Sequence, residues 1–134
     1  DLNTYHVSHA NLYDENDCEN NQFLINQDIF VVVKLYSPDG KKPGLNIGLV
    51  GYDGHAIFGT YSKVSNAVPK PIDDRYFEFI IRFKSPQLLP GEYRIKLHAM
   101  TPDQLQTIDT YELDFTVNGK TMELGVCHFE TEWS

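Results

Sequence analysis

The carboxylates, histidines and cysteines of this 134-residue chain are the groups best able to do chemistry, and their spacing decides which. Five histidines, His6, His9, His55, His98 and His128, include one close pair, His6-x-x-His9. On a regular strand these two rings point to opposite faces, which spoils a chelate. The run Asp14-Glu15-Asn16-Asp17-Cys18-Glu19-Asn20-Asn21 clusters oxygen atoms, yet it puts Cys18 where a calcium loop needs an oxygen ligand and Glu19 where it needs glycine. It reads as a solvated loop, and no metal or other cofactor is expected. Cys127 and His128 are sequence neighbours that face opposite ways on a strand, and there is no Gly-x-Ser-x-Gly nucleophile elbow. Glu112 and Asp114 share a strand face with Cβ atoms ~7 Å apart, but glycosidase carboxylates flank a cleft from different elements. Catalysis is therefore not expected.

Recognition of a hydroxyl-rich ligand fits the remaining residues better. Sugar sites combine aromatic faces, which stack on the C–H side of the ring, with polar groups for the hydroxyls. Tyr52, His55, Phe58, Arg94, Lys96, His98 and Glu112 are the candidate carbohydrate-binding residues. Most of them share the outward face of one predicted sheet, with Thr60, Thr110 and Asp114 beside them. Arg94 and Lys96 suit an acidic cap on the sugar. The competing reading is a solvated face laced by cross-strand ion pairs such as Arg94–Glu112.

These residues are carried by segments of period-two hydrophobicity. Ile29, Val31, Val33 and Leu35 alternate with Phe30, Val32, Lys34 and Tyr36. Phe77, Phe79, Ile81 and Phe83 alternate with Tyr76, Glu78, Ile80 and Arg82. Further strands are predicted over 5–13, 46–52, 56–61, 92–100, 109–117 and 122–129, separated by Pro/Gly turns and by an Asp53-Gly54 hairpin. No stretch carries a helical stripe. About eight short strands in one domain predict an Ig-like antiparallel β-sandwich spanning residues 1–134. Strands 46–52, 56–61, 92–100 and 109–117 are expected to share one sheet, with Ile57 inward and Phe58 outward. The opposite sheet, 28–36 and 76–84, shows Phe30, Val32, Tyr36, Tyr76 and Ile80 outward. That face is too apolar to be fully solvated, so a homodimer contact is expected there, with terminal strands as the other possible cover. Trp133 reads as a plug at the sandwich edge, with a sugar platform as the other reading.

Nineteen acids against eleven bases give a net charge of −8. The first thirty residues hold six acids and no Lys or Arg, residues 31–100 hold six acids and ten bases, and residues 101–134 hold seven acids and only Lys120. An acidic total disfavours nucleic acid and anionic membranes as partners. No apolar run reaches the ~20 residues of a membrane span. Two cysteines, Cys18 and Cys127, build no disulfide framework, and no Asn-x-Ser/Thr sequon occurs. Both observations point to the cytosol. A chain opening on Asp1 without a Met is expected to be a C-terminal piece of something longer.

The run Gly54-His55-Ala56-Ile57-Phe58-Gly59-Thr60, the segment Leu88-Leu89-Pro90-Gly91-Glu92-Tyr93-Arg94-Ile95, and the close Phe115-Thr116-Val117, Gly125-Val126 and Trp133 occur in that order. Together they resemble the C-terminal domain of Wzt, the ATP-binding subunit of bacterial ABC transporters that export lipopolysaccharide O-antigen. The resemblance spans roughly Val7 to Trp133. It implies a cytoplasmic Ig-like module that recognises the O-polysaccharide, often at its modified non-reducing end. It also implies a homodimer and, in the parent complex, an ABC ATPase domain and a transmembrane subunit as partners. No Gly-x-x-x-x-Gly-Lys-Ser/Thr loop is present, so this segment is not expected to bind ATP. The other function class in view is a structural or adhesive Ig-like domain contacting protein.

Overall fold

Alternating apolar residues commit most of the chain to strands, and the computed structural model, which describes residues 1–107 and 109–133, contains no helix among them. The strands are β1 (His6–Tyr13), β2 (Gln22–Leu24), β3 (Ile29–Tyr36), β4 (Gly44–Gly51), β5 (Ala56–Tyr61), β6 (Lys70–Pro71), β7 (Tyr76–Phe83), β8 (Gly91–Met100) and β9 (Tyr111–Asn118). One sheet has the order β1-β3-β7-β6 and the other β2-β9-β8-β4-β5. All neighbours run antiparallel except the short β2, which lies parallel to β9. The architecture is the Ig-like β-sandwich that the alternation predicts.

The inward residues of the two sheets form one core. Ile29, Val31, Val33 and Leu35 of β3, and Ile95, Leu97 and Ala99 of β8, are each at most 1% exposed. Full burial of a Val, Leu or Ile side chain stabilises by about 1.5–3 kcal/mol, before chain entropy is counted. One end of the five-stranded sheet is anchored by Tyr93, whose ring stacks on its cross-strand partner Phe115 with centroids 5.6 Å apart. Its hydroxyl donates to the Leu89 carbonyl four residues upstream and lies 3.2 Å from the Val126 carbonyl. This is a tyrosine corner, and it explains why Leu-x-Pro-Gly-x-Tyr opens β8.

Five local features depart from the sequence reading, one of them the two-residue β6 in a stretch that reads as loop. β2 was not expected; a single buried side chain, Phe23, holds it against Phe115, edge to face at 6.0 Å. The predicted strand 122–129 is absent. Gly125 turns the chain with φ +112°, and pairing shrinks to a bridge between Leu88 and Cys127 flanked by Leu89 N–H to Val126 O and His128 N–H to Gln87 O. The other two departures are β-bulges. In β1 the register skips Ser8, and in β5 it skips Ile57. Each extra residue reverses which face the rest of its strand presents.

Candidate functional site

The outward face of the five-stranded sheet is organised by one guanidinium. Cross-strand register sets Arg94 of β8 opposite Asp114 of β9, and Lys96 opposite Glu112. Arg94 Nε lies 2.7 Å from Asp114 Oδ1, and Nη1 lies 3.1 Å from Glu112 Oε2. One cation thus ties two carboxylates two residues apart on the neighbouring strand. The hydrogen bond from Asp114, then the charges of Asp114 and Glu112, raise the arginine pKa above its already high ordinary value. At this exposure the pairs contribute little to stability; their effect is to fix the direction of the three side chains.

Beside this cluster the face dips into a hollow of about 220 Å³. Tyr52, Asn21, Arg94, Lys96, Asp114 and Thr116 line it, with Glu92 at its side. Its size is below the ~300–1,000 Å³ of pockets for drug-sized ligands, so one sugar ring is the appropriate scale. Tyr52 comes from the β4–β5 hairpin, where Gly54 N–H bonds to Gly51 O and Gly51 N–H bonds to His55 O. Gly54 alone in this turn has positive φ, +87°, and the loop is the three-residue kind. That turn holds the Tyr52 ring 84% exposed, with no ring among the described residues stacked against it. Next to Lys96, Gly48 and Gly59 oppose one another across β4 and β5, leaving bare backbone as the floor of the face.

Of the seven candidate residues, the structure brings Tyr52, Arg94 and Lys96 around the hollow and sets Glu112 against Arg94 just outside it. His55 is drawn back into the hairpin. Its Nδ1 is 2.6 Å from Asp53 Oδ2, and this hydrogen bond is the main reason the Asp53 carboxyl titrates below its usual range. His98 lies farther along β8, with Nδ1 3.0 Å from both the Asp109 carbonyl and Thr110 Oγ1. Phe58 is not on this face. Because Ile57 is the extra residue of the β5 bulge, Phe58 pairs with the core residue Leu49 and turns toward the other sheet, 6.5 Å from the Phe83 ring. Thr60, opposite core residue Ile47, is turned inward with it. The expected outward placement of Phe58 and Thr60 is corrected by that one residue.

Sequence reasoning left Asn21, Glu92, Asp114 and Thr116 out of the candidate set. Asp114 and Thr116 were legible as outward residues of a strand that already carried Glu112. Asn21 was not legible, because it reaches the hollow through β2: its carbonyl accepts Thr116 N–H at 2.9 Å, and no periodic pattern announces so short a strand.

Elsewhere the groups considered for chemistry are engaged or dispersed. The β1 bulge puts His6 and His9 on the same face, contrary to the alternation, since they oppose Tyr36 and Lys34. His6 stacks on Tyr36 at 5.0 Å and His9 Nε2 lies 3.0 Å from the Asn11 amide. Among the described residues no group of three His, Cys, Asp or Glu side chains is placed to hold a metal ion. Asp14 folds its own loop, accepting Asn16 N–H and Cys18 N–H. Cys18 and Cys127 are free and exposed. On the outward face of the four-stranded sheet, Lys34 lies over the Tyr76 ring and Arg82 over the Phe30 ring, at 4.7 and 5.6 Å from the centroids. Ile80 remains uncovered there, and Trp133 is exposed on the C-terminal segment rather than plugging an edge.

No family model matches the sequence, and comparison with curated proteins finds no match. Solved structures do. The C-terminal domain of Wzt superposes with a TM-score of 0.67 at 16% identity, over 97% of this chain and 83% of that one. The soluble domain of PmoD from a Methylocystis species follows at 0.46 and 12% identity, over 82% of this chain and 90% of that one. A CARDB domain from Pyrococcus furiosus, in complex with di-metal ions, gives 0.45 and 13%, over 86% of this chain and 92% of that one. At such identities the likeness is one of fold. The chain is built on the fold of the C-terminal domain of Wzt, the domain its motifs resemble.

Proposed function

We propose that this chain is a non-catalytic glycan-binding module of the type that serves O-antigen export, taking the modified non-reducing end of the polysaccharide in the hollow beside Tyr52 and Arg94. The observation that carries the proposal is that hollow: a free aromatic face stands beside a guanidinium–carboxylate cluster fixed in direction, at the scale of one sugar ring. The shared fold with the Wzt C-terminal domain and the ordered motifs support it. Glu112 and Asp114 both bond to Arg94 from one strand, so they do not flank a cleft as an acid and base would. In this reading the domain is a homodimer through the apolar outward face of the four-stranded sheet. It acts at the cytoplasmic side of the inner membrane beside an ABC ATPase domain and a transmembrane subunit. Screening the chain against an array of bacterial O-polysaccharides tests the proposal. Specific binding that Arg94→Ala and Tyr52→Ala abolish supports it, and an array with no binder overturns it.

A second reading, a structural or adhesive Ig-like domain that contacts protein, is favoured by one observation. Met122, Leu124, Phe129 and Trp133 on the C-terminal segment are all largely exposed.

A further inference from the structure

The hollow selects the charge class of what it holds. Its charged side chains are Glu92, Arg94, Lys96 and Asp114, and Glu112 adjoins them through Arg94. Two cations therefore stand among three carboxylates. Arg94, the group best shaped for an anion, directs Nε to Asp114 Oδ1 at 2.7 Å, Nη2 to Asp114 Oδ2 at 3.4 Å and Nη1 to Glu112 Oε2 at 3.1 Å. A phosphate or carboxylate cap would have to displace Asp114 from the guanidinium and then sit beside the displaced carboxylate. Like charges at that distance disfavour the anion, and the remaining Lys96 is one ammonium facing an acidic surround.

Uncharged sugar meets no such penalty. A carboxylate has about four lone-pair sites, and Arg94 occupies only part of those on Asp114, leaving acceptors for sugar hydroxyls. Asn21, Thr116 and Tyr52 add neutral donors and acceptors around the same space, and the Tyr52 ring offers a face to the C–H side of a pyranose. Because Arg94 holds Asp114 in place, those acceptors are oriented before the sugar arrives.

Resting on the glycan-binding reading above, we propose that the hollow is specific for an uncharged sugar terminus, with Asp114 the residue that accepts its hydroxyls and rejects acidic caps. The opposite expectation, that Arg94 and Lys96 bind an acidic cap, makes Asp114 a competitor of the ligand. The two differ in what one substitution does to an uncharged polymer, which loses affinity in the first reading and is unaffected in the second. Asp114→Asn preserves size on an exposed strand position, removes the negative charge and releases Arg94.

The experiment is isothermal titration of the full chain, wild type and Asp114→Asn, with an uncharged hexose or deoxyhexose O-polysaccharide that binds on an array, and with the same polymer bearing a terminal phosphate. The expected result is wild-type binding of the uncharged polymer at least tenfold tighter than of the phosphorylated one. It also includes a five- to fifty-fold loss for the uncharged polymer in Asp114→Asn and a smaller gap between the two polymers. Wild-type preference for the phosphorylated polymer, or a gain in its affinity in Asp114→Asn with the uncharged polymer unaffected, overturns the specificity and leaves the glycan reading standing. Binding of no polymer by the wild type overturns both. Arg94→Lys is the second variant: it keeps a cation while losing the fork, and weakened uncharged binding without gain for the phosphate is expected.

Discussion

Phe58 and Phe83 stand edge to face, 6.5 Å apart, joining β5 of one sheet to β7 of the other at the open side of the sandwich. A residue that alternation assigns to the sugar face instead contributes to cohesion between the sheets. Phe58→Ala is therefore expected to lower stability by about 1–2 kcal/mol, less than a fully buried Phe because the ring is about half exposed. Glycan affinity should be unchanged. Urea unfolding and titration on the same variant check both halves.

One inserted residue accounts for this reversal, which shows what was legible in the sequence and what was not. The long strands β3, β4, β7, β8 and β9 were readable from their alternation, and with them Arg94, Lys96, Asp114 and Glu112 as neighbours on one face. The bulges at Ser8 and Ile57 carry no compositional mark, so alternation separates His6 from His9 and turns Phe58 outward, where the structure does neither. Asn21 was hidden because β2 offers only one buried side chain, too little for a period. The 122–129 segment is apolar enough to read as a strand, but Gly125 interrupts it and only residues 87–89 are there to pair with it.

Tyr93 supplies a second expectation. Its hydroxyl joins the Leu89 and Val126 carbonyls, and burial pushes its phenol pKa upward. Tyr93→Phe leaves the Leu89 carbonyl without its donor, removes the contact to the Val126 carbonyl, and should destabilise by about 1–2 kcal/mol. Because Val126 belongs to the C-terminal segment, limited proteolysis should also cut that segment faster than in the wild type.

Asp28 supplies a pH dependence. Oδ1 accepts Ser85 N–H at 2.7 Å and Oδ2 accepts Arg82 Nε–H at 2.9 Å, and these bonds, Ser85's first, lower the carboxyl pKa. A depressed folded-state pKa means the contribution is fully present above the unfolded value of about 3.9 and is lost as pH falls through the lower folded value. Asp28→Asn should thus be less stable than wild type at pH 7. The gap should close below pH ~3.9, as read by thermal unfolding across pH.

The glycan site makes the sharpest demand on Arg94 and Tyr52. Arg94→Ala removes the group that orients Asp114 and Glu112, and a charge-assisted bond of about 1.5–3 kcal/mol converts to roughly a ten- to hundred-fold loss of affinity. Tyr52→Ala removes the stacking face, with little effect on stability because the ring is largely exposed.

The most direct measurement is isothermal titration of the wild type, Arg94→Ala, Tyr52→Ala and Phe58→Ala with an O-polysaccharide that binds the wild type on an array. Binding by the wild type and Phe58→Ala, with at least tenfold weaker binding by Arg94→Ala and Tyr52→Ala, is the predicted result. Equal affinity in all four proteins, or no polysaccharide that binds the wild type, would contradict the assignment of this face as a glycan site.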